Sequence, residues 1–359
     1  MNYRDAVLLD GYATGDADTT QIVDLKGLNP ISEIVIVYKG TNSTSTPTEH
    51  PAKLITQVQV VDGSQVIADV DGKQLQALGY YHYKAAGVQG LNYIDNNQCW
   101  VSLRLPFGRW GFDPMLALDP ARFHNPQLII KTDHDGGGGA PDAGSLEVVA
   151  RVFDAKKITP VGYLRTREHF RYSVVASGVE TVDLPTDLPI KMLMFQGNYD
   201  SYALIQQINK IKLSEDNDSK VPLENSASDI IKMLAADLPP WIEKLRGNAT
   251  TSQVKFFGTC FYEQSVMLVG IMSTINYGDT TQLDGGSFYV DMVTAAEFDG
   301  LLSGYCPHGC IGLEFGDPWD LDDWYNLSAV KSLQAKITAG SGASSSGTNK
   351  VVTQQLQKY

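Results

Sequence analysis

Alternating hydrophobic and polar residues dominate the first half of the chain and predict β-strands. Residues 32–39 (SEIVIVYK) alternate, are rich in β-branched side chains and are closed by Gly40. Residues 54–61 alternate again and are followed by Asp62-Gly63, a strong hairpin signal. Short strands separated by turns rich in Gly, Pro and Asp continue to residue 154, and this pattern favours a β-sandwich.

Helical periodicity is confined to two short segments. Residues 226–238 form the clearer one, because Ile230, Leu234 and Leu238 fall on one face and Pro239-Pro240 ends the pattern. Residues 73–83 (KQLQALGYYHY) predict a second short helix or turn in the first half. Each half of the chain therefore carries one short helix among its strands.

The two halves repeat the same motifs in the same order. Residues 21–42 and 180–200 both give Val-Asp-Leu, a turn, Pro-Ile, an apolar strand and a Gly-containing turn. Residues 99–154 and 310–357 both open on Cys and an apolar run ending in Phe-Gly, continue through a loop rich in Asp, Pro and Trp, and close with a Gly-containing hairpin and a Val-Val strand. Matches kept in order along both halves predict that one sandwich was duplicated.

Length and charge set the next limits. A chain of 359 residues is expected to divide into domains, which we place at residues 19–154 and 179–359. A net charge of −13 disfavours direct nucleic-acid binding, because such proteins carry a basic face. The first 19 residues hold no long apolar run, so we expect a chain that is made in a cytoplasm and kept there until it assembles. In that setting the four cysteines are expected to be free thiols.

Two segments lie outside the predicted sandwiches. Residues 1–18 are polar and read as an N-terminal arm that carries Arg4. Residues 155–178 read as a linker with a local excess of positive charge against a single acid, Glu168. This excess favours contact with an acidic neighbouring subunit or with lipid headgroups, and solvated charges on a linker are the alternative. The candidate interface or membrane-facing residues are Arg4, Lys156, Lys157, Arg165, Arg167 and Arg171.

No catalytic or cofactor motif stands out in the sequence. There is no P-loop, dinucleotide fingerprint, zinc-protease motif or nucleophile elbow, so we expect no enzyme activity and no cofactor. The densest acidic cluster could hold a cation or supply paired carboxylates, but a loop whose tryptophans pack while its carboxylates stay in water is favoured. Cys306, His308 and Cys310, and the segment 133–135, are weaker metal candidates. The members of the acidic cluster are Asp317, Asp320, Asp322 and Asp323.

The combination of tandem sandwiches, inserted helices and a few short motifs resembles a known family. Pro106-Phe107-Gly108, Asn125-Pro126-Gln127 and the strand SLEVVARVFD at 145–154 are similar to the double jelly-roll major capsid proteins of tailless icosahedral viruses, especially small membrane-containing bacteriophages. The resemblance implies an all-β fold of two tandem eight-stranded jelly rolls. It also implies a homotrimer of pseudo-hexameric outline that tiles the shell of a virion.

The same resemblance implies the partners. These are other copies of the chain, penton or minor capsid proteins, and a lipid membrane beneath the shell. The second half repeats the plan with longer insertions, but the chain lacks the long loop towers of larger members of the family, which indicates a compact, smooth building block. Two alternatives remain open: a jelly-roll glycan hydrolase using Asp320, Asp322 or Asp323, and a carbohydrate- or receptor-binding spike whose loop tryptophans make contact.

Overall fold

The first half of the molecule is an eight-stranded jelly roll with one short additional strand. A computed structural model of the protein describes residues 1–15, 18–134, 139–199, 202–259, 262–271, 278–283, 286–343 and 347–359. The strands of this half are β1 (Tyr3–Ala13), β2 (Thr19–Asp24), β3 (Ile31–Thr41), β4 (Ile55–Asp62), β5 (Gln65–Val70), β6 (Gln89–Asn92), β7 (Gln98–Pro106), β8 (Pro126–Thr132) and β9 (Gly144–Phe153).

Two facing sheets enclose the core of this first roll. Their strand orders are β1-β9-β3-β7 and β2-β8-β4-β5. Alternation along each strand turns one set of side chains inward, as with Ile34, Ile36 and Tyr38 of β3, which are fully buried. They pack against Val58, Val60 and other side chains from the opposite sheet in one continuous core.

The second half repeats this plan and adds an insertion. Its strands are β10 (Gly162–Ser173), β11 (Val179–Leu184), β12 (Ile190–Asn198), β13 (Ile208–Glu215), β14 (Lys220–Ser226), β15 (Trp241–Ala249), β16 (Val254–Phe257), β17 (Tyr262–Ile271), β18 (Gly278–Leu283), β19 (Ser287–Met292), β20 (Ala296–Tyr305), β21 (Cys310–Glu314), β22 (Leu333–Ala339) and β23 (Thr348–Lys358). The second roll is formed by the orders β10-β23-β12-β21 and β11-β22-β13-β14. Each of these strands occupies the place of its counterpart in the first roll, which confirms the predicted tandem arrangement.

The two rolls share one sheet. Strand β5 of the first roll pairs in parallel with β10 of the second, with Ala68 opposite Thr166 and Asp69 opposite Arg167. This pairing joins four strands from each roll into one eight-stranded sheet. The hydrogen-bonded junction therefore fixes the orientation of one roll relative to the other.

Residues 241–305 form an inserted subdomain in the second half, where the sequence predicts longer insertions. Strands β15, β20 and β17 extend the first sheet of roll one, because β15 pairs in parallel with β6. The three-stranded sheet β16-β19-β18 packs on them around Phe256, Phe288 and Phe298. The strands are interrupted by turns like those of the rolls themselves, so the sequence pattern assigned them to the second roll and not to a subdomain that pairs with the first.

Helices α1 and α3 lie close to where periodicity predicts them, whereas the single turn α2 was not predicted. Helix α1 (Gly72–Tyr83) begins with a capping box between Asp71 and Gln74, and a single turn α2 (Leu204–Gln207) precedes β13. Helix α3 (Ala227–Asp237) begins at the N-cap Ser226, whose side chain accepts a hydrogen bond from the Asp229 N–H. Of the described helices, none is long and apolar enough to cross a bilayer.

The arm and the linker of the sequence interpretation both contain regular strands. Strand β1 lies within residues 1–18 and pairs with β9 from Tyr3 to Ala13. Strand β10 lies within residues 155–178 and pairs with β23 along its whole length. Neither segment alternates cleanly in sequence, because each is an end strand of its own four-stranded half-sheet and exposes much of one face.

Candidate functional site

The duplicated loops of the two halves meet at one end of the molecule. Alternating strand directions bring to this end, here called the base, the loops 107–125 and 315–332, residues 154–161 and both chain termini. The inserted subdomain lies at the opposite end, here called the top, where helices α1 and α3 begin. Helix α1 runs from there back toward the base, and its last residue, Tyr83, donates a hydrogen bond to Glu33. Direct contacts at the base include the Ala155 N–H donating to the Met1 carbonyl at 3.0 Å and the Val161 N–H donating to the Met115 carbonyl at 2.8 Å.

A buried ion pair in the first base loop positions an arginine that also binds the second base loop. Arg109 Nε lies 2.7 Å from Asp113 Oδ2, and both side chains are almost fully buried. Arg109 also donates to the main-chain carbonyl of Trp319 in the other loop. The rings of Trp110 and Trp319 lie 5.5 Å apart between centroids. The two equivalent loops, one from each roll, are therefore in direct contact with each other.

The acidic cluster of the second base loop caps its own turns. Asp323 Oδ2 accepts the Asp317 N–H at 2.6 Å, and Asp317 Oδ1 accepts the Trp319 N–H at 2.9 Å. Asp320 Oδ1 accepts the Asp322 N–H at 3.0 Å. Asp320 and Asp322 line an open groove of about 460 Å3. These contacts fit the structural interpretation of the cluster, with Trp324 buried beneath it.

The metal candidates are not brought together. Among the residues that the structure describes, no group of three or more His, Cys, Asp and Glu side chains is placed to hold an ion. Cys99, Cys306 and Cys310 are free and buried, as expected, and burial raises the pKa of the Cys306 thiol to about 12. Cys260 and Asp135 lie outside the described residues.

The six basic candidates separate into two groups. Arg4 and the two lysines lie at the base, where Arg4 Nε is 3.8 Å from Asp154 and Lys156 Nζ is 3.4 Å from the Tyr3 hydroxyl. The other three arginines lie along β10. Arg171 pairs with Glu168 at 2.7 Å. Burial lowers the pKa of Arg167, the positive charge of Arg165 lowers it further, and the charges of Asp187 and Asp69 oppose this shift.

The contact between helix α1 and the second roll was not foreseen from the sequence. Tyr81 donates its hydroxyl to the Cys310 carbonyl at 2.6 Å, and its ring lies against Gly312. Gln74 Nε2 donates to Glu168 at 2.8 Å. The spacing of apolar residues in α1 predicted a helix. It could not predict the contact of Tyr81, because the sequence does not show which distant residue a tyrosine will contact.

A buried charge cluster lies near the same contact. Lys191 Nζ is 3.1 Å from Glu314, and its side chain is 2% exposed. His82 is buried close by, and its two ring nitrogens find no hydrogen-bond partner among the described residues. Burial holds the pKa of His82 well below its ordinary value, and the nearby charges of Lys191, Arg104 and Lys84 lower it further.

Solved structures match nearly the whole chain. No protein-family model and no curated protein matches the sequence. The STIV (Sulfolobus Turreted Icosahedral Virus) MCP matches over 99% of this chain and 98% of that one, with a TM-score of 0.64 and 11% identity. The major capsid protein P2 from Bacteriophage PM2 matches over 99% and 98%, with a TM-score of 0.55 and 11% identity. The PBCV-1 virus capsid matches over 99% and 93%, with a TM-score of 0.56 and 12% identity.

This chain has the double jelly-roll fold. The likeness extends across both rolls and confirms the all-β architecture expected from the sequence resemblance. At 10–12% identity it establishes the fold, and the role of the chain is argued separately.

The double jelly roll presents exposed apolar side chains in separate places. Trp110, Met115, Val161 and Trp319 are exposed at the base, the last by 51%. Ile242, Met267 and Val269 are exposed on the inserted subdomain at the top. Val7 lies on the outer strand β1 and is 65% exposed. Exposed apolar side chains that lie together, as Trp110 and Trp319 do, mark contacts with other molecules, whereas single scattered ones are ordinary surface residues.

Proposed function

We propose that this protein is the major capsid protein of an icosahedral virus. The observation that carries the proposal is the match over 99% of the chain to the STIV MCP and to major capsid protein P2, with both rolls included. Such a protein functions by self-assembly, because copies of one rigid block associate with each other and form a closed shell. No catalytic step is part of the proposal.

The junction between the rolls supports the role of a rigid block. The shared sheet joins them by backbone pairing, and the Arg109 contact joins their loops at the base. Near the top, Asp71 of roll one pairs with Lys350 of roll two. Because these contacts lie at both ends and between them, the two rolls move as one body.

In the proposed assembly, three chains form a ring of six rolls with a nearly hexagonal outline. A ring of copies uses the same two different surfaces at every contact, so one chain can close it. Interfaces of this permanent kind bury about 2,000 Å2 or more. Hexagonal tiles alone cannot close an icosahedral shell, so other proteins at the fivefold vertices belong to the proposal.

The base is the surface proposed to face an internal membrane. Tryptophan side chains favour the boundary between lipid and water, and Trp110 and Trp319 are exposed there. Lys156 and Lys157 would be attracted to anionic headgroups. The acidic cluster lies at the same end and opposes that attraction, so the aromatic residues give the stronger support.

Light scattering on the purified chain tests the assembly. We expect a species of about three times 39.2 kDa, and hexagonal arrays or shells by electron microscopy at high concentration. A monomer that hydrolyses a glycan, and loses this activity when Asp320, Asp322 and Asp323 are replaced by alanine, would contradict the proposal and support a hydrolase.

Flotation with lipid vesicles tests the membrane surface. We expect the assembled protein to float with vesicles containing anionic lipid, and the double variant Trp110→Ser, Trp319→Ser to float several-fold less. Ile242→Ser is the matched control, since Ile242 is 53% exposed at the top. Equal flotation of the base variant and the control would remove the membrane from the proposal.

A further inference from the structure

The chain contains one junction between its two rolls. Each roll also has one strand that could form a second junction of the same kind with another copy of the chain. Inside the chain, β5 of roll one pairs with β10 of roll two. The counterpart of β5 in roll two is β14, and the counterpart of β10 in roll one is β1. Within the described residues, β14 pairs only with β13 and β1 only with β9, so each leaves one backbone edge open.

The register of the internal junction can be transferred to these open strands. Asp71 and Ser226 are the N-caps of the helices that follow β5 and β14, so Ala68 and Asp69 correspond to Leu223 and Glu224. Each residue of a pair lies the same number of residues before its N-cap, so the two pairs occupy equivalent positions on β5 and β14.

The strand pairings β3-β9-β1 in roll one and β12-β23-β10 in roll two show which residues of β1 and β10 correspond. Val35 pairs with Val149 in roll one as Met194 pairs with Val352 in roll two. Two residues further along, Arg151 pairs with Asp5, and Gln354 pairs with Thr166. Thr166 and Arg167 therefore correspond to Asp5 and Ala6.

We propose that β14 of one copy pairs in parallel with β1 of the next copy, with Leu223 opposite Asp5 and Glu224 opposite Ala6. The contact repeats between chains the junction that already exists within each chain. This inference rests on the proposed function, since it names the edges through which the ring of three chains closes.

The exposed edges have the character of an interface. Open strand edges are templates for pairing with another chain, and β1 is 11 residues long. Val7 and Val221, on the two open strands, are 65% and 37% exposed. Pro222 lacks an N–H, so the proposed pairing of β14 with β1 is limited to the residues after Pro222. The internal junction is equally short, with two paired residues on each strand.

An engineered disulfide tests the register. Directly opposed residues in paired strands lie about 5 Å apart between Cα atoms, within the range that a disulfide spans. We expect the double variant Asp5→Cys, Leu223→Cys to form covalent species of two and three chains under mild oxidation, seen on a non-reducing gel and reversed by a reductant. Each single variant, and the unchanged chain with its buried thiols, serves as a control.

Two further variants make the outcome unambiguous. Asp69→Cys with Arg167→Cys places a bridge at the neighbouring pair of the internal junction, equivalent to Glu224 and Ala6, and is expected to lose its thiols without linking chains. Tyr12→Cys with Leu223→Cys lies out of register on β1 and is expected to link several-fold less.

The possible results separate the inference from the proposed function. If light scattering gives a trimer but the in-register pair links chains no better than the out-of-register pair, the edge assignment is wrong while the capsid proposal stands. If the chain stays monomeric, both fail. Linking of the in-register pair alone supports the assignment.

Discussion

At the scale of single residues, close approaches between the two rolls determine which side chains are tolerated. A Cβ added at Gly312 would lie 2.6 Å from the ring of Tyr81, which is buried and anchored by its hydroxyl. The ring cannot shift without losing that hydrogen bond. The glycine is therefore required by the packing of helix α1 against β21.

Gly312→Ala is expected to destabilise the protein by about 1–3 kcal/mol through overpacking. Gly79→Ala is the matched control, because a Cβ there meets no atom within 4 Å and Gly79 lies inside helix α1. The control should raise stability by about 0.5–1 kcal/mol, since alanine favours helix more than glycine does. Thermal denaturation measures both, and equal effects would contradict the packing argument.

His82 makes the stability depend on pH. Its pKa is depressed in the folded protein, while in the unfolded chain it is about 6.5. Below that value the unfolded state gains a proton that the folded state does not take, so stability falls as the pH falls. His82→Gln, which does not titrate, should therefore lose less stability than the unchanged protein between pH 7 and pH 5.

Urea denaturation at the two pH values measures this difference. His124→Gln serves as the control, since His124 is exposed in a base loop. If His82→Gln and His124→Gln lose the same stability on acidification, the buried imidazole does not carry the effect.

At the scale of elements, the sequence predicted what depends on local signals. The cap at Ser226 and the apolar face of residues 226–238 gave α3 to within a residue or two, and Asp62-Gly63 gave the β4–β5 hairpin. Strands β1 and β10 were missed, because their order comes from pairing with β9 and β23, far away in sequence. Such long-range pairing leaves no mark in the strand itself.

The N-cap of α3 gives a prediction at this scale. Ser226→Ala removes the side-chain acceptor of the Asp229 N–H, 3.1 Å away, and should cost about 1 kcal/mol. Ser226→Thr keeps both the acceptor and the hydroxyl that donates to the Asp229 carboxylate at 2.7 Å, so it should retain most of the stability. Thermal melting of both variants is the measurement, and a loss equally large in Ser226→Thr would show that the cap is not responsible.

At the scale of the whole molecule, the sequence predicted the duplication but not the contacts between the two rolls. Repeated motifs such as Phe107-Gly108 and Phe315-Gly316 revealed two rolls, since each copy keeps its own local pattern. The pairing of their loops through Arg109 and Trp319 depends on the packing of one roll against the other. The sequence singled out the acidic cluster and the basic residues of the base, but only the folded structure shows how the two loops meet there.

The buried pair of Arg109 and Asp113 gives a prediction for the molecule as a whole. Arg109→Met leaves the Asp113 carboxylate buried without its partner and should cost about 3–5 kcal/mol. Arg109→Met with Asp113→Asn removes the stranded charge and should recover part of that loss. Calorimetry on both variants checks this order, and a double variant less stable than the single one would contradict it.

The sheet shared by the rolls has a consequence for curvature. Because β5 and β10 are joined by backbone pairing, the chain resists bending along the line between its two rolls. In the shell that we propose, each change of slope from facet to facet would therefore be taken up at the boundaries between the proposed trimers. Shells of different diameter would then use the same flat tile and differ only in the angles at which neighbouring tiles meet.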